Sequence, residues 1–173
     1  MEFTDEGAIE KYLGVEVEQL KGREFILRQP FLIRIILAAL NVKAGYYNQR
    51  DVTVIGPLPS RDELGAKQNY DWSYRSAIGM LGYLQNSTRP DISMAVHQCA
   101  QFSANPMLCH EKAVKYIVRY LLSSQDKGIH YKLDTTRGLE CYIDTDFAGG
   151  WSSGNLTNPE CVLSRTGFVI MYA

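Results

Sequence analysis

Asp144 and Asp146 stand two positions apart in the run Tyr142-Ile-Asp-Thr-Asp-Phe-Ala-Gly-Gly150. In a strand, side chains at i and i+2 share a face, so the two carboxylates would point the same way. An oxygen ligand on an otherwise apolar strand is costly to bury unless a cation or partner offsets it. Mg²⁺ chemistry on phosphodiesters needs several converging carboxylates around one or two ions. Downstream of Asp146 the sequence offers only Glu160, in a polar Gly/Ser/Asn loop, so a complete two-metal site cannot be assembled from this segment. The plain alternative is a strand end with two solvated aspartates.

A second candidate is basic. Lys112, Lys115 and Arg119 fall at i, i+3 and i+7, on one face of a helical segment, with Tyr116 beside them. Such a stripe can track a phosphate backbone, because each neutralised phosphate releases counterions. Its alternative is a solvated face opposite the core. His97 lies on the polar side of another helix with no serine or cysteine nucleophile visibly paired to it. Cys109-His110 near His97 invites a zinc reading, but no C-x-x-C spacing supports it. Cys99, on an apolar helix face, reads as a small core hydrophobe, and the four cysteines as reduced, structural thiols.

The elements that must position these groups follow from periodicity. Residues 11 to 28 hold two β-rich runs around Lys21-Gly22, a hairpin. Gln29-Pro30 opens an apolar segment, Phe31 to Leu40, whose Ala/Leu content predicts a buried helix. From Asn41 to Tyr70 the periodicity dissolves, which predicts a linker between two packing units. Tyr74, Ala77, Ile78, Leu81 and Leu84 mark one helix. Ile92, Ala95, Val96, Cys99 and Phe102 mark a second, with Asp91 as its cap. Asn105-Pro106 opens a third, which buries Ala113, Val114, Ile117 and Leu121. After Gly128 the pattern alternates, predicting strands at 129–133, 139–144 and 166–172. The last has an apolar reading and no helix follows to cover it, which predicts a truncated domain.

The 173 residues carry a net charge of −1, so any nucleic-acid binding must come from a local basic face. The longest apolar run is interrupted by Arg34 and is about half the ~20 residues of a bilayer span, so no membrane segment is predicted. The acidic N-terminus lacks a basic n-region and an apolar h-region, which predicts an intracellular protein, cytoplasmic or nuclear, rather than a secreted one.

Several blocks, in this order, resemble copia-type retrotransposon Pol polyproteins. They are Tyr74-Arg-Ser-Ala-Ile-Gly-Met-Leu-Gly-Tyr-Leu84, Ser87-Thr-Arg-Pro-Asp-Ile92, Ala95-Val-His-Gln-Cys99, His110-Glu-Lys-Ala-Val114, Arg119-Tyr-Leu121, Asp126-Lys-Gly-Ile129 and Tyr142 to Gly149. Ser164-Arg-Thr-Gly-Phe168 is similar to the next ribonuclease H strand of that family. Tyr12-Leu-Gly14 resembles the primer grip of reverse transcriptases, and Ile26-Leu-Arg-Gln29 its returning strand. The resemblance covers nearly the whole chain and is weakest from Val42 to Gln68.

The resemblance implies an α+β chain running from the end of a reverse transcriptase into a ribonuclease H. Residues 1–41 would be a primer-grip-like hairpin and helix, 42–73 a linker, 74–127 a three-helix thumb-like bundle, and 128–173 the first strands of a truncated, mixed ribonuclease H-type sheet. It implies a primer–template duplex or RNA–DNA hybrid as ligand, held through Tyr12, Leu13, Gly14, Lys112, Lys115 and Arg119, with the remainder of the polyprotein as partner. Asp144 corresponds to the family's first metal-binding aspartate, with Mg²⁺ as cofactor in the full-length protein, and Asp146 to a structural neighbour. The paired polymerase aspartates would lie before Met1 and the later ribonuclease H carboxylates after Ala173, so the chain is expected to be catalytically incomplete alone. The alternative is a non-catalytic nucleic-acid-binding module that kept the helices. A complete small hydrolase fails on ligand count.

Overall fold

The computed structural model describes residues 7–43, 71–134, 136–147 and 164–172. Most of the expected linker, the loop with Glu160, and Cys161 lie outside them. The chain divides into two compact units, residues 1–131 and 132–173. Among the described residues no helix is long and apolar enough to cross a membrane. The architecture is mixed α and β, as expected.

The first unit opens with three strands, β1 (Lys11–Tyr12), β2 (Val15–Gln19) and β3 (Glu24–Arg28). Both successive pairs are antiparallel, with Tyr12 opposite Val15 and Glu16 opposite Arg28. Arg28 reaches both Glu16 and Glu18, which sit on one face of β2. Helix α1 (Pro30–Ala39) follows at once, its proline in the first turn, where no amide donor is needed. Ile33, Ile36, Leu37 and Leu40 are buried, the i, i+3, i+4, i+7 pattern of an amphipathic helix.

Helix α2 (Tyr74–Ser87) is capped by Ser73, whose hydroxyl accepts the Ser76 amide at 3.3 Å. Tyr74, Ala77, Leu81 and Leu84 face the core. A 3₁₀ turn (Pro90–Ile92) leads into α3 (Ser93–Ala100), and α4 (Leu108–Ser123) buries Ala113, Val114, Ile117 and Leu121 as the sequence predicts. The Tyr74 hydroxyl donates to the Cys99 carbonyl at 2.8 Å, and burial pushes its pKa well above the ordinary tyrosine value.

Four expectations change. Helix α1 shares one hydrophobic core with α2, α3 and α4, so the segments on either side of the linker are not separate packing units. Asp91 is not a helix cap: α3 begins after Ile92 without a side-chain cap, and the Asp91 carboxylate is engaged by Arg89 and Tyr120. Helix α4 begins at Leu108 rather than at Pro106; the Met107 amide donates to His110 Nδ1 at 3.0 Å, a local bond that accompanies a helix start two residues on. Strand β4 (Ile129–Lys132) does not join the C-terminal strands but adds to the first sheet, giving the order β1-β2-β3-β4. Gly128 allows this approach, since a Cβ there would lie 2.1 Å from the Leu27 carbonyl oxygen.

Arg89 ties the helices together from a buried position. Its Nε and Nη2 grip the Asp91 carboxylate at 2.9 and 2.8 Å, while Nη1 and Nη2 donate to the Ser124 carbonyl and hydroxyl, both at 2.9 Å. The Tyr120 hydroxyl donates to Asp91 Oδ2 at 2.7 Å, and its ring lies 5.3 Å from the guanidinium. At the same end of α2, the hydroxyl of Thr88, its C-cap, donates to Gln29 Oε1 at 3.0 Å, joining α2 to the start of α1.

The second unit is an antiparallel pair, β5 (Leu139–Asp146) and β6 (Arg165–Tyr172), in register from Leu139 opposite Tyr172 to Asp146 opposite Arg165. Alternation puts Leu139, Cys141, Ile143, Phe168, Ile170 and Tyr172 on one face, all exposed. The mixed sheet expected here is represented, among the described residues, by this pair.

Two outcomes follow from the Arg89 cluster. Arg89→Ala removes a buried side chain together with its hydrogen bonds to Asp91 and Ser124 and is expected to lower unfolding free energy by about 3 kcal/mol in a urea titration. Burial alone would raise the Asp91 pKa, but the hydrogen bonds from Arg89 and Tyr120 and the Arg89 charge together hold it below the ordinary value of 3.8. A depressed carboxylate stabilises the fold fully above its unfolded pKa and loses that contribution as pH falls through the folded one. Acid titration should therefore show a loss of stability that starts below about pH 4, and Asp91→Asn should remove that component.

Candidate functional site

The Tyr12–Gly14 element is the tip of the first hairpin. Leu13 and Gly14 form its two-residue turn with φ of +48° and +79°, the positive values that a tight antiparallel turn requires. Glycine adopts that conformation freely; for Leu13 it costs about 1 kcal/mol. Both side chains beside the glycine face solvent, Tyr12 at 66% and Leu13 at 72% exposure. The Leu13 carbonyl accepts a hydrogen bond from the Tyr83 hydroxyl on α2 at 2.5 Å.

The basic stripe occupies the solvent side of α4, but its members differ. Lys112 is exposed. Lys115 is half-buried and its ammonium lies 2.7 Å from the Glu111 carboxylate, one turn earlier and itself buried. Lys115 and Arg119 line a cavity of about 400 Å³ with Val42, Lys43, Asp71 and Trp72. Two of the three cations thus face a mixed-charge concavity rather than an open basic surface, and the hairpin turn meets α2 instead.

Asp144 and Asp146 share a face of β5 with Glu140 and Tyr142, as the i, i+2 rule predicts, and all but the half-buried Glu140 are exposed. Glu140 is drawn elsewhere, accepting the Tyr142 hydroxyl at 2.9 Å and lying 3.8 Å from Arg137. Directly opposite Asp144 on β6 stands Gly167, which has no side chain to meet that carboxylate. Among the described residues no group of three His, Cys, Asp or Glu side chains is placed to hold a metal ion. Among the described residues, Asp144 and Asp146 thus have no third carboxylate converging on them, where phosphodiester chemistry with Mg²⁺ needs several.

The zinc reading fails on geometry. His110 is fully buried, stacked on Phe102 with ring centroids 3.7 Å apart, and its Nδ1 accepts the Met107 amide. His97 is exposed on α3. Cys99 is buried and its thiol is pushed up to about 11 by burial, an unreactive core thiol as expected. Tyr83 was not singled out by sequence; its one signal is that it breaks the apolar register of α2 as a large aromatic off the core face.

Comparison with known proteins supplies the family. The Retrovirus-related Pol polyprotein from transposon RE1 of Arabidopsis thaliana is 30% identical over 146 residues, 84% of this chain and 10% of that protein. The corresponding polyprotein from transposon TNT 1-94 of Nicotiana tabacum is 30% identical over 159 residues, 86% of this chain and 11% of that one. This chain is homologous to copia-type retrotransposon Pol polyproteins. The Pol-related sequence also occurs in the Secreted RxLR effector protein 161 of Plasmopara viticola, 39% identical over 85 residues, 49% of this chain and 60% of that protein. The chain thus spans about a tenth of the Pol polyproteins it matches. No protein-family model and no solved structure matches it.

The unequal lysines of this Pol-related chain give a direct test. Lys115→Glu places a like charge beside the buried Glu111 and is expected to cost at least about 1 kcal/mol of stability. Lys112→Glu, on the exposed side, should stay within about 0.5 kcal/mol. Urea unfolding of both variants checks the difference.

Proposed function

We propose that the chain is the part of a copia-type Pol polyprotein that joins reverse transcriptase to ribonuclease H, and that it holds a primer–template duplex or an RNA–DNA hybrid. Its relationship to the RE1 and TNT 1-94 polyproteins over 84% and 86% of its length carries this reading. In it, the Tyr12–Gly14 turn serves as the primer grip and α2, α3 and α4 as the thumb. Tyr12 and Leu13 offer apolar contact to sugar and base, and Lys112 contacts phosphate from the exposed side of α4, joined by Lys115 and Arg119 where their concavity opens to solvent. Backbone contacts position a duplex without reading its sequence, as copying any template requires.

In this proposal β5 and β6 begin a ribonuclease H-type sheet, and Asp144 is its first carboxylate toward Mg²⁺ in the full protein. The exposed carboxylate opposite Gly167 supports that role, and Asp146 keeps a local one. The remainder of the polyprotein is the partner that would complete the acidic set. A second reading is a non-catalytic nucleic-acid-binding module that kept the helices; the match to a protein named as an effector, over 60% of its length, shows that related sequence also occurs in a protein whose name is not that of a Pol polyprotein. Hybrid binding as tight as that of a longer Pol segment would favour this module.

The binding reading is tested by a salt titration of the 173-residue chain on a short RNA–DNA hybrid. Affinity should fall with salt, and Lys112→Gln should reduce the slope of log K against log salt by about one. Affinity independent of salt would contradict it. Mg²⁺-dependent cleavage of the hybrid that disappears in Asp144→Asn would overturn the claim that the chain is catalytically incomplete alone.

A further inference from the structure

We infer that Tyr83 is a positioning residue: its hydroxyl, donated to the Leu13 carbonyl, fixes the pose in which Tyr12 and Leu13 meet a nucleic-acid duplex. The inference rests on the proposed role of the turn in duplex binding.

Three observations carry it. The hairpin that bears the turn is short, with β1 contributing only the pairs Lys11–Glu16 and Tyr12–Val15, too little to hold a turn rigidly by itself. Leu13 sits at positive φ while 72% exposed, so neither glycine's freedom nor burial offsets its conformation. A non-glycine residue keeps such a conformation only where its surroundings over-determine it, and the Tyr83 bond reaches across 70 residues of sequence to that carbonyl. Tyr83 itself is 44% exposed and lies off the α2 face formed by Tyr74, Ala77, Leu81 and Leu84, so packing alone does not explain an aromatic there. The bond makes the turn move with α2, and thereby with the helical core.

Contact through Tyr12 and Leu13 is apolar, so its loss has a signature distinct from loss of a phosphate contact. Tyr83→Phe should weaken binding of a short RNA–DNA hybrid about fivefold, the size of one lost hydrogen bond, with the salt slope unchanged. Lys112→Gln should instead reduce the slope. Amide exchange at Val17, whose N–H bonds the Glu10 carbonyl at the open end of the same hairpin, should quicken in Tyr83→Phe. Leu13→Gly removes the strain and the apolar contact together. It should weaken hybrid binding without loss of stability, and adding Tyr83→Phe to it should cost little more. Wild-type affinity in Tyr83→Phe, whatever the exchange at Val17, overturns the inference while leaving duplex binding standing. Absence of hybrid binding by the wild-type chain sinks the duplex reading and this inference with it. A changed salt slope in Tyr83→Phe overturns the apolar role.

Discussion

A guanidinium out of contact with water must find a counter-charge and satisfy its donors, and the first unit is arranged around that requirement at Arg89. Asp91 supplies the charge from the next 3₁₀ turn, Ser124 supplies two oxygens from just past the end of α4, and the Tyr120 hydroxyl meets the same carboxylate. The junction of α2 and α3 is thereby fixed against the last turn of α4. The direction in which the chain leaves α4 is set there too. Gly128 follows within a few residues and lets the backbone come against Leu27, so that β4 lands on β3. One buried charge thus connects the helical core to the sheet on which the Tyr12–Gly14 turn is carried.

Much of this was legible in the sequence because it is periodic. The apolar positions of α1, α2 and α4 repeat at helical spacing, and the structure buries nearly all of them. Alternation identified β4 as a strand but carried no information about its partner, which is decided by a close approach between residues 27 and 128. Asp91 followed by an apolar run has the look of a cap; its carboxylate serves Arg89 instead, because a buried cation outbids exposed amides for it. Tertiary demands overrode local preference at both places.

The candidate site divides in the same way. Spacing placed Asp144 and Asp146 on one face and the three cations on one side of α4, as the backbone has them. Spacing could not say that Lys115 would lie against Glu111, since i, i+4 neighbours are found on every helix and only burial of the acid makes the pair matter. Nor could it separate Asp144 from Asp146. The strand register adds one difference between them, a glycine, Gly167, directly opposite Asp144.

Leu13 is the residue that local rules explain least. A two-residue hairpin turn with positive φ at both positions is best served by Asn, Asp or Gly, and leucine there is strained and exposed together. The bond from Tyr83 ends on a backbone carbonyl, which every residue type possesses, so it secures the turn without specifying a side chain. Holding the backbone and choosing the side chain are then separate tasks. Once the first is met from α2, the identity of residue 13 is free to answer a demand outside the fold. In the proposed duplex-binding role, a bare apolar side chain on a hairpin tip held from α2, next to an exposed tyrosine, would suit a surface that presses on a ligand without reading its charge.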